Sequence, residues 1–185
     1  MRHARFRLLR FAAAPSAALA AVLLLFSSSA AQAVPSDVPY GPVVITNHAY
    51  ANYLVPDDTV GNPGTYLQVY YADTHPFPRT FTFEHVGGHS DIYKWKHTNR
   101  GACAETDGNG KAGTSVQLRN CSSNKAQWWV LRHVGGTSDQ FVISPFNDES
   151  LAVTGLYSND NFAPLRQLPS ADTSTAAQRW HIDRE

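Results

Sequence analysis

The chain has 185 residues, with 15 Lys+Arg against 15 Asp+Glu, 43% hydrophobic and 11% aromatic residues, a composition that excludes a disordered chain and fits a folded globular one. The charge balance is uneven: residues 1–33 carry Arg2, Arg5, Arg7 and Arg10 and no acid, so 34–185 keeps 11 basic residues against 15 acidic ones, a net charge of −4 with histidine neutral. A mildly acidic stretch without a Lys/Arg cluster excludes nucleic acid as an expected partner, and a basic membrane-binding patch likewise.

From the N-terminus, the arginine-rich start, the Ala/Leu-dominated run 11–26 and Ala31-Gln32-Ala33 are the three parts of a secretory signal ending at residue 33. No apolar run of 18 or more residues follows, and no Cys stands at the cleavage site to carry a lipid. Residues 34–185 are therefore expected as one secreted domain with no membrane span. Val43-Val44-Ile45, 66–71 (YLQVYY), 92–95, 116–119 (VQLR), 128–131 and 141–143 read as short strands, rich in β-branched or aromatic residues and divided by Gly, Pro, Asn and Asp. No stretch holds a helical period for three turns.

An internal repeat organises these strands. RTFTFEHVGGHSD at 79–91 returns as QWWVLRHVGGTSD at 127–139, and Gln178-Arg179-Trp180-His181-Ile182 matches 127–131 a third time. Three units, near 40–86, 87–134 and 135–185, imply about twelve strands on a threefold pseudo-axis, a barrel with a hairpin cap. Cys103 and Cys121 are the only cysteines, and an exported pair is expected to bond, two buried free thiols being the other reading.

The candidate chemistry is sparse. His48, His75, His85, His89, His97, His133 and His181 are numerous, yet His85 and His133 share one repeat position, which argues for a structural role. His85 and His89 have the spacing of a helical metal pair, but Val86-Gly87-Gly88 breaks any helix between them. Asp107-Gly108-Asn109-Gly110 opens like a calcium loop, but Lys111 stands where an oxygen ligand belongs and no Glu follows at the twelfth position, so it reads as a hairpin turn. There is no Gly-x-Ser-x-Gly, and the acid pairs Asp57-Asp58 and Asp148-Glu149 sit in turn-like contexts. No catalytic residue, metal or cofactor is expected, and a binding module is expected rather than an enzyme.

Residues 101–131, GACAETDGNGKAGTSVQLRNCSSNKAQWWVL, resemble the ricin B-type β-trefoil lectins, whose repeats carry a Cys-Leu-Asp-like start, a Val-Gln-Leu-Trp-like third strand, a second Cys and a closing Gln-x-Trp. The resemblance extends through the three units over 40–185, with Arg79-Thr80-Phe81 at the closing position of the first. It implies an all-β trefoil in which Phe81, Trp129 and Trp180 meet in the core, while Gln127 and Gln178 satisfy backbone groups near the strand start.

Such lectins hold a sugar with an acid soon after the first Cys, an aromatic on the third strand and an amide before the closing Trp, because a pyranose has one polar rim and one CH-rich face. For unit two the resemblance implies Glu105 as the acid and Gln117 as the strand amide, with Arg119 in the aromatic's place and Ala126 before Gln127. For unit one it implies Gln68 and Tyr70, with Val55 at the acid position and Asp57 or Asp58 as substitutes just beyond. In unit three Ala152 and Leu168 replace the acid and the aromatic. The function implied is a secreted lectin binding a glycan or polysaccharide weakly, in the millimolar to high-micromolar range worth roughly 4 to 6 kcal/mol per site. The alternative is a trefoil scaffold with decayed sugar sites that contacts a protein, as protease inhibitors or toxin-complex subunits do.

Overall fold

Short runs rich in β-branched and aromatic residues become strands, some alternating in burial, as at Thr80–His85, and others buried on both faces, as at Leu151–Val153. The computed structural model describes residues 41–71, 78–107, 110–137, 139–157, 161–169 and 173–185, all within the unit Val34–Glu185. The expected signal segment, His75, and Gly108 and Asn109 of the expected hairpin turn lie outside the described residues. The strands are β1 Val43–Asn47, β2 Tyr53–Pro56, β3 Leu67–Tyr70, β4 Thr80–His85, β5 Ile92–His97, β6 Cys103–Thr106, β7 Val116–Arg119, β8 Trp128–His133, β9 Gln140–Pro145, β10 Leu151–Val153, β11 Asn161–Phe162, β12 Leu165–Gln167 and β13 Trp180–Arg184. Single 3-10 turns, Lys125–Gln127 and Ala176–Gln178, lead into β8 and β13.

Six of these strands close a ring of antiparallel pairs, β1 with β4, β4 with β5, β5 with β8, β8 with β9, β9 with β13 and β13 with β1. Three hairpins, β2/β3, β6/β7 and β10/β12, form the cap. They interlock in a cycle: Leu118 N–H donates to the Thr65 carbonyl at 2.7 Å, Leu165 N–H to Thr114 at 2.7 Å and Ala163 N–H to Leu67 at 2.8 Å. A closed barrel has no free edge to shield. This is a β-trefoil, with the two-residue β11 as an extra piece paired to β3.

The threefold register is strict. Val43 faces Phe81, Tyr93 faces Trp129 and Phe141 faces Trp180. Phe81, Trp129 and Trp180 are fully buried in one core cluster. Trp95 joins two of the units, edge-on to Phe81 and to Trp129 with ring centroids 5.5 Å apart in both cases. Two of the buried indole N–H groups have carbonyl acceptors, Trp129 donating to Ala104 O and Trp180 to Val153 O, both at 2.9 Å, whereas Trp95 Nε1 has none among the described residues. The shared repeat position of His85 and His133 is structural, since each ring packs on the aromatic opposite it, His85 on Tyr93 at 4.3 Å and His133 on Phe141 at 5.2 Å. Cys103 and Cys121 are bonded, with Cα atoms 5.0 Å apart.

One sequence expectation changes. The core pairs Leu54 with Val69, Ala104 with Leu118 and Val153 with Leu165 are equivalent. In unit three the positions of the acid and the aromatic therefore belong to Thr154 and Arg166, not to Ala152 and Leu168. Without a cysteine pair to mark it, this hairpin's register is visible only from its backbone pairing and from the Trp180 hydrogen bond.

Candidate functional site

In each cap hairpin the residues between the core positions face away from the barrel. On unit one these are Tyr53 and Val55 of β2 and Gln68 and Tyr70 of β3; on unit two they are Cys103 and Glu105 of β6 and Gln117 and Arg119 of β7. The same backbone thus presents two different surfaces.

In unit two the polar groups are tied to one another. Gln127 Nε2 donates to Glu105 Oε2 at 2.8 Å and to Asn120 O at 2.9 Å, while its Oε1 accepts from the Ser122 N–H at 2.8 Å. Gln178 repeats this in unit three, donating to Gln167 O at 2.9 Å and accepting from Thr175 N–H at 3.0 Å. Gln117 is buried, and its amide donates to Gly64 O across the seam with unit one. The amide nitrogen thus joins two units, while Gln117 Oε1 has no hydrogen-bond partner among the described residues. Glu105 remains half-buried, and Arg119, the last residue of β7, is exposed.

In unit one both carboxylate oxygens of Asp58 are engaged within its own loop. Its Oδ1 accepts from the N–H groups of Val60 and Gly61, and its Oδ2 from Asn62 N–H at 3.2 Å, Asn62 Nδ2 at 3.0 Å and the Thr65 hydroxyl at 2.9 Å. Burial pushes its pKa up, but the Gly61, Asn62 and Val60 N–H groups and the Thr65 hydroxyl outweigh that and hold it below the usual carboxylate range. Asp58 is the anchor of its own loop. Asp57 is exposed, and its backbone N–H pairs with Tyr66 O at 2.8 Å. Val55 and Gln68 are buried, and Gln68 Oε1 has no hydrogen-bond partner among the described residues.

What unit one does present is aromatic. Tyr70, half-buried, stands directly opposite Tyr53, whose ring carries the Arg79 guanidinium 4.8 Å from its centroid. Beside them, Phe162 of β11 pairs with Gln68 and lies 4.8 Å from the Tyr66 ring. The Tyr66 hydroxyl donates to Asp107 Oδ2 at 3.1 Å, and this bond together with the carboxylate's charge raises the phenol's pKa. Next along the rim, the Tyr71 hydroxyl donates to Tyr157 O at 3.0 Å and the Tyr157 ring meets Tyr50 edge-on at 5.8 Å. Tyr71, Tyr157 and Phe162 are 42%, 74% and 42% exposed, and they are the exposed large apolar side chains among the described residues. Sequence reasoning found Tyr70 and missed Tyr53, Tyr66 and Phe162. The alternation of YLQVYY already puts Tyr66 on the face of Tyr70, and a register for β2 would have supplied Tyr53.

No protein-family model matches the sequence, and no curated protein matches it. Solved structures do match in fold. The designed threefold-symmetric protein ThreeFoil superposes with a TM-score of 0.64 at 14% identity, over 78% of this chain and 99% of that one. The Rhizoctonia solani agglutinin gives 0.65 at 15% identity over 80% of this chain and 96% of its own. The Macrolepiota procera ricin B-like lectin, solved in complex with lactose, gives 0.59 at 15% identity over 78% and 96%. At such identities the likeness is one of fold.

Proposed function

We propose that this β-trefoil is an exported, non-enzymatic module that binds carbohydrate through the outer face of its first unit. The observation that carries the reading is the gathering of exposed and half-exposed aromatic rings there: Tyr53, Tyr66, Tyr70 and Phe162, continued by Tyr71 and Tyr157. Flat rings suit the CH-rich face of a pyranose, and the phenol hydroxyls and Arg79 supply hydrogen bonds at its polar rim. Export is supported by the reading of residues 1–33 and by the Cys103–Cys121 bond, since disulfides persist in oxidising compartments. The lactose complex of the Macrolepiota lectin supports the class of ligand.

Val55 at the acid position and the occupied oxygens of Asp58 favour a weak and tolerant site, useful against polymers where many contacts add. They also favour the second reading, a protein bound on the same aromatic face. Retention on a panel of insoluble polysaccharides and on a glycan array decides between them. Tyr70→Ala and Phe162→Ala should each lose most of the retention while keeping the far-UV spectrum, and Glu105→Ala should keep it. Undiminished retention in Tyr70→Ala removes unit one as the site, and no retention on any glycan leaves the protein-contact reading.

A further inference from the structure

β1 ends at Asn47, and the next residue, His48, meets His181 of β13 from 133 positions away. His48 Nδ1 lies 3.1 Å from His181 Nε2, with ring centroids 5.2 Å apart and planes at 48°. On its other side, His181 Nδ1 lies 2.8 Å from Asp139 Oδ2. An ionised carboxylate only accepts, so His181 Nδ1 carries the proton that faces Asp139, and in the neutral ring the Nε2 lone pair then faces His48. This is the tautomer in which a carboxylate-oriented histidine binds a metal ion. Two imidazole nitrogens about 2.0 to 2.1 Å from a tetrahedral ion lie about 3.3 Å apart. The pair is thus within a few tenths of an ångström of a bite that an ion can fill.

A second observation points the same way. Gln140 pairs directly with His181 across β9 and β13, which puts both side chains on one face. Gln140 Oε1 is buried with no hydrogen-bond partner among the described residues, an acceptor suited to the hydrogen of a metal-bound water. His48 is exposed, so an ion reaches the pair from solvent. Among the described residues no three His, Cys, Asp or Glu side chains gather as a ligand set, so an ion here shares its remaining positions between water and an external ligand.

We propose that His48 Nδ1 and His181 Nε2 form a two-histidine site for a divalent transition-metal ion, with Asp139 as its positioning residue. With both rings neutral, binding moves the His48 proton from Nδ1 to Nε2 while His181 keeps its own on Nδ1. Imidazole pairs favour Cu²⁺ over Zn²⁺ and Ni²⁺. The ion ties the first barrel strand to the last, and binding only the folded state raises thermal stability with ion concentration.

The test is calorimetric titration of the purified, tag-free protein with zinc chloride and with copper chloride in a non-coordinating buffer, followed by thermal melts with and without zinc. The wild type should bind one equivalent and melt a few degrees higher in zinc. His48→Ala and His181→Ala should each weaken binding tenfold or more and abolish the melting shift; Asp139→Asn should weaken it about tenfold; His89→Ala should bind as the wild type does. No binding by the wild type, or undiminished binding in His48→Ala, overturns the proposal. Because His48 lies on an exposed turn, its variant carries the test even if His181→Ala folds poorly.

Discussion

Tyr53 in unit one and Cys103 in unit two occupy the same place, each opposite the last residue of the following strand, Tyr70 and Arg119. Around Cys103 the hairpin is closed upon itself by the bond to Cys121 and by Gln127, which ties Glu105, Asn120 and Ser122 together. Around Tyr53 neither device exists: Arg79 stands where Gln127 does and lies on the Tyr53 ring, Phe81 replaces Trp129, and Asp58 gathers its own loop. The inner core pairs, Leu54 with Val69 and Ala104 with Leu118, are apolar and fully buried, whereas the outer faces share only a buried glutamine, Gln68 and Gln117, and differ at their other three positions. Barrel closure therefore constrains chiefly the inner half of each hairpin. Unit two uses its outer half for rigidity, and unit one leaves its own as an aromatic surface.

The largest effect should come from the shared inner face. Trp129→Ala should lower the unfolding free energy by about 3 to 5 kcal/mol in denaturant titration, and a loss below about 1 kcal/mol would remove Trp129 from the core. Trp129→Phe makes unit two resemble unit one and sharpens the comparison. It should cost about 1 to 3 kcal/mol, because Ala104 O loses its buried donor. Next comes the outer device. Replacing both cysteines with serine should cost about 3 kcal/mol for a loop of this length, read by the same titration against the oxidised protein. A cost near zero would mean that Gln127 alone holds this hairpin, as Asp58 and Arg79 hold the first without any bridge.

The repeat displacement was enough to read the barrel, because Trp129 and Trp180 recur with their flanking Gln and so announce equivalent closing strands. The cysteine pair was legible because the sequence holds only these two, both in one unit, so each has a single possible partner within the chain. The polar site was legible only in part. Asp57-Asp58 looks like a pair of solvated acids in sequence, and nothing in its composition says that five donors of the loop 58–65 converge on one carboxylate. The acid and aromatic positions of unit three slipped because its hairpin is displaced by different amounts at its two strands, 49 residues from Ala104 to Val153 and 47 from Leu118 to Leu165. His48 and His181 were visible singly. Their meeting depends on β1 pairing with β13, a closure that no local pattern encodes.

The smallest effect lies at the seams between units, where the comparison becomes one of protons. His97 ends β5 and Asn47 ends β1, at equivalent places. His97 Nε2 donates to Pro78 O at 3.0 Å and Asn47 Nδ2 donates to Ala177 O at 2.9 Å, again equivalent carbonyls. Each is pressed by a glycine. A Cβ on Gly61, which has φ +77°, would stand 2.2 Å from His97 Nδ1, and one on Gly155 would stand 2.3 Å from Asn47 Nδ2. Of the two, only His97 titrates. Burial lowers its pKa, the Pro78 hydrogen bond and the Asp58 charge offset this in part, and the net position is below the ordinary 6.5. The unfolded chain then binds the proton more readily than the folded one. The stability His97 contributes is complete above pH 6.5 and is lost as pH falls through its folded value. Asp58, held below its ordinary 3.8, adds a second loss at lower pH with the same sign. Unfolding free energy measured from about pH 7 down to about pH 5 should therefore fall in the wild type. In His97→Asn, which copies the Asn47 seam, the overall level should drop because the smaller side chain leaves a void, but the slope over this range should flatten. A slope unchanged in His97→Asn would place the acid-sensitive group elsewhere and would make the two seams equivalent in chemistry as well as in geometry.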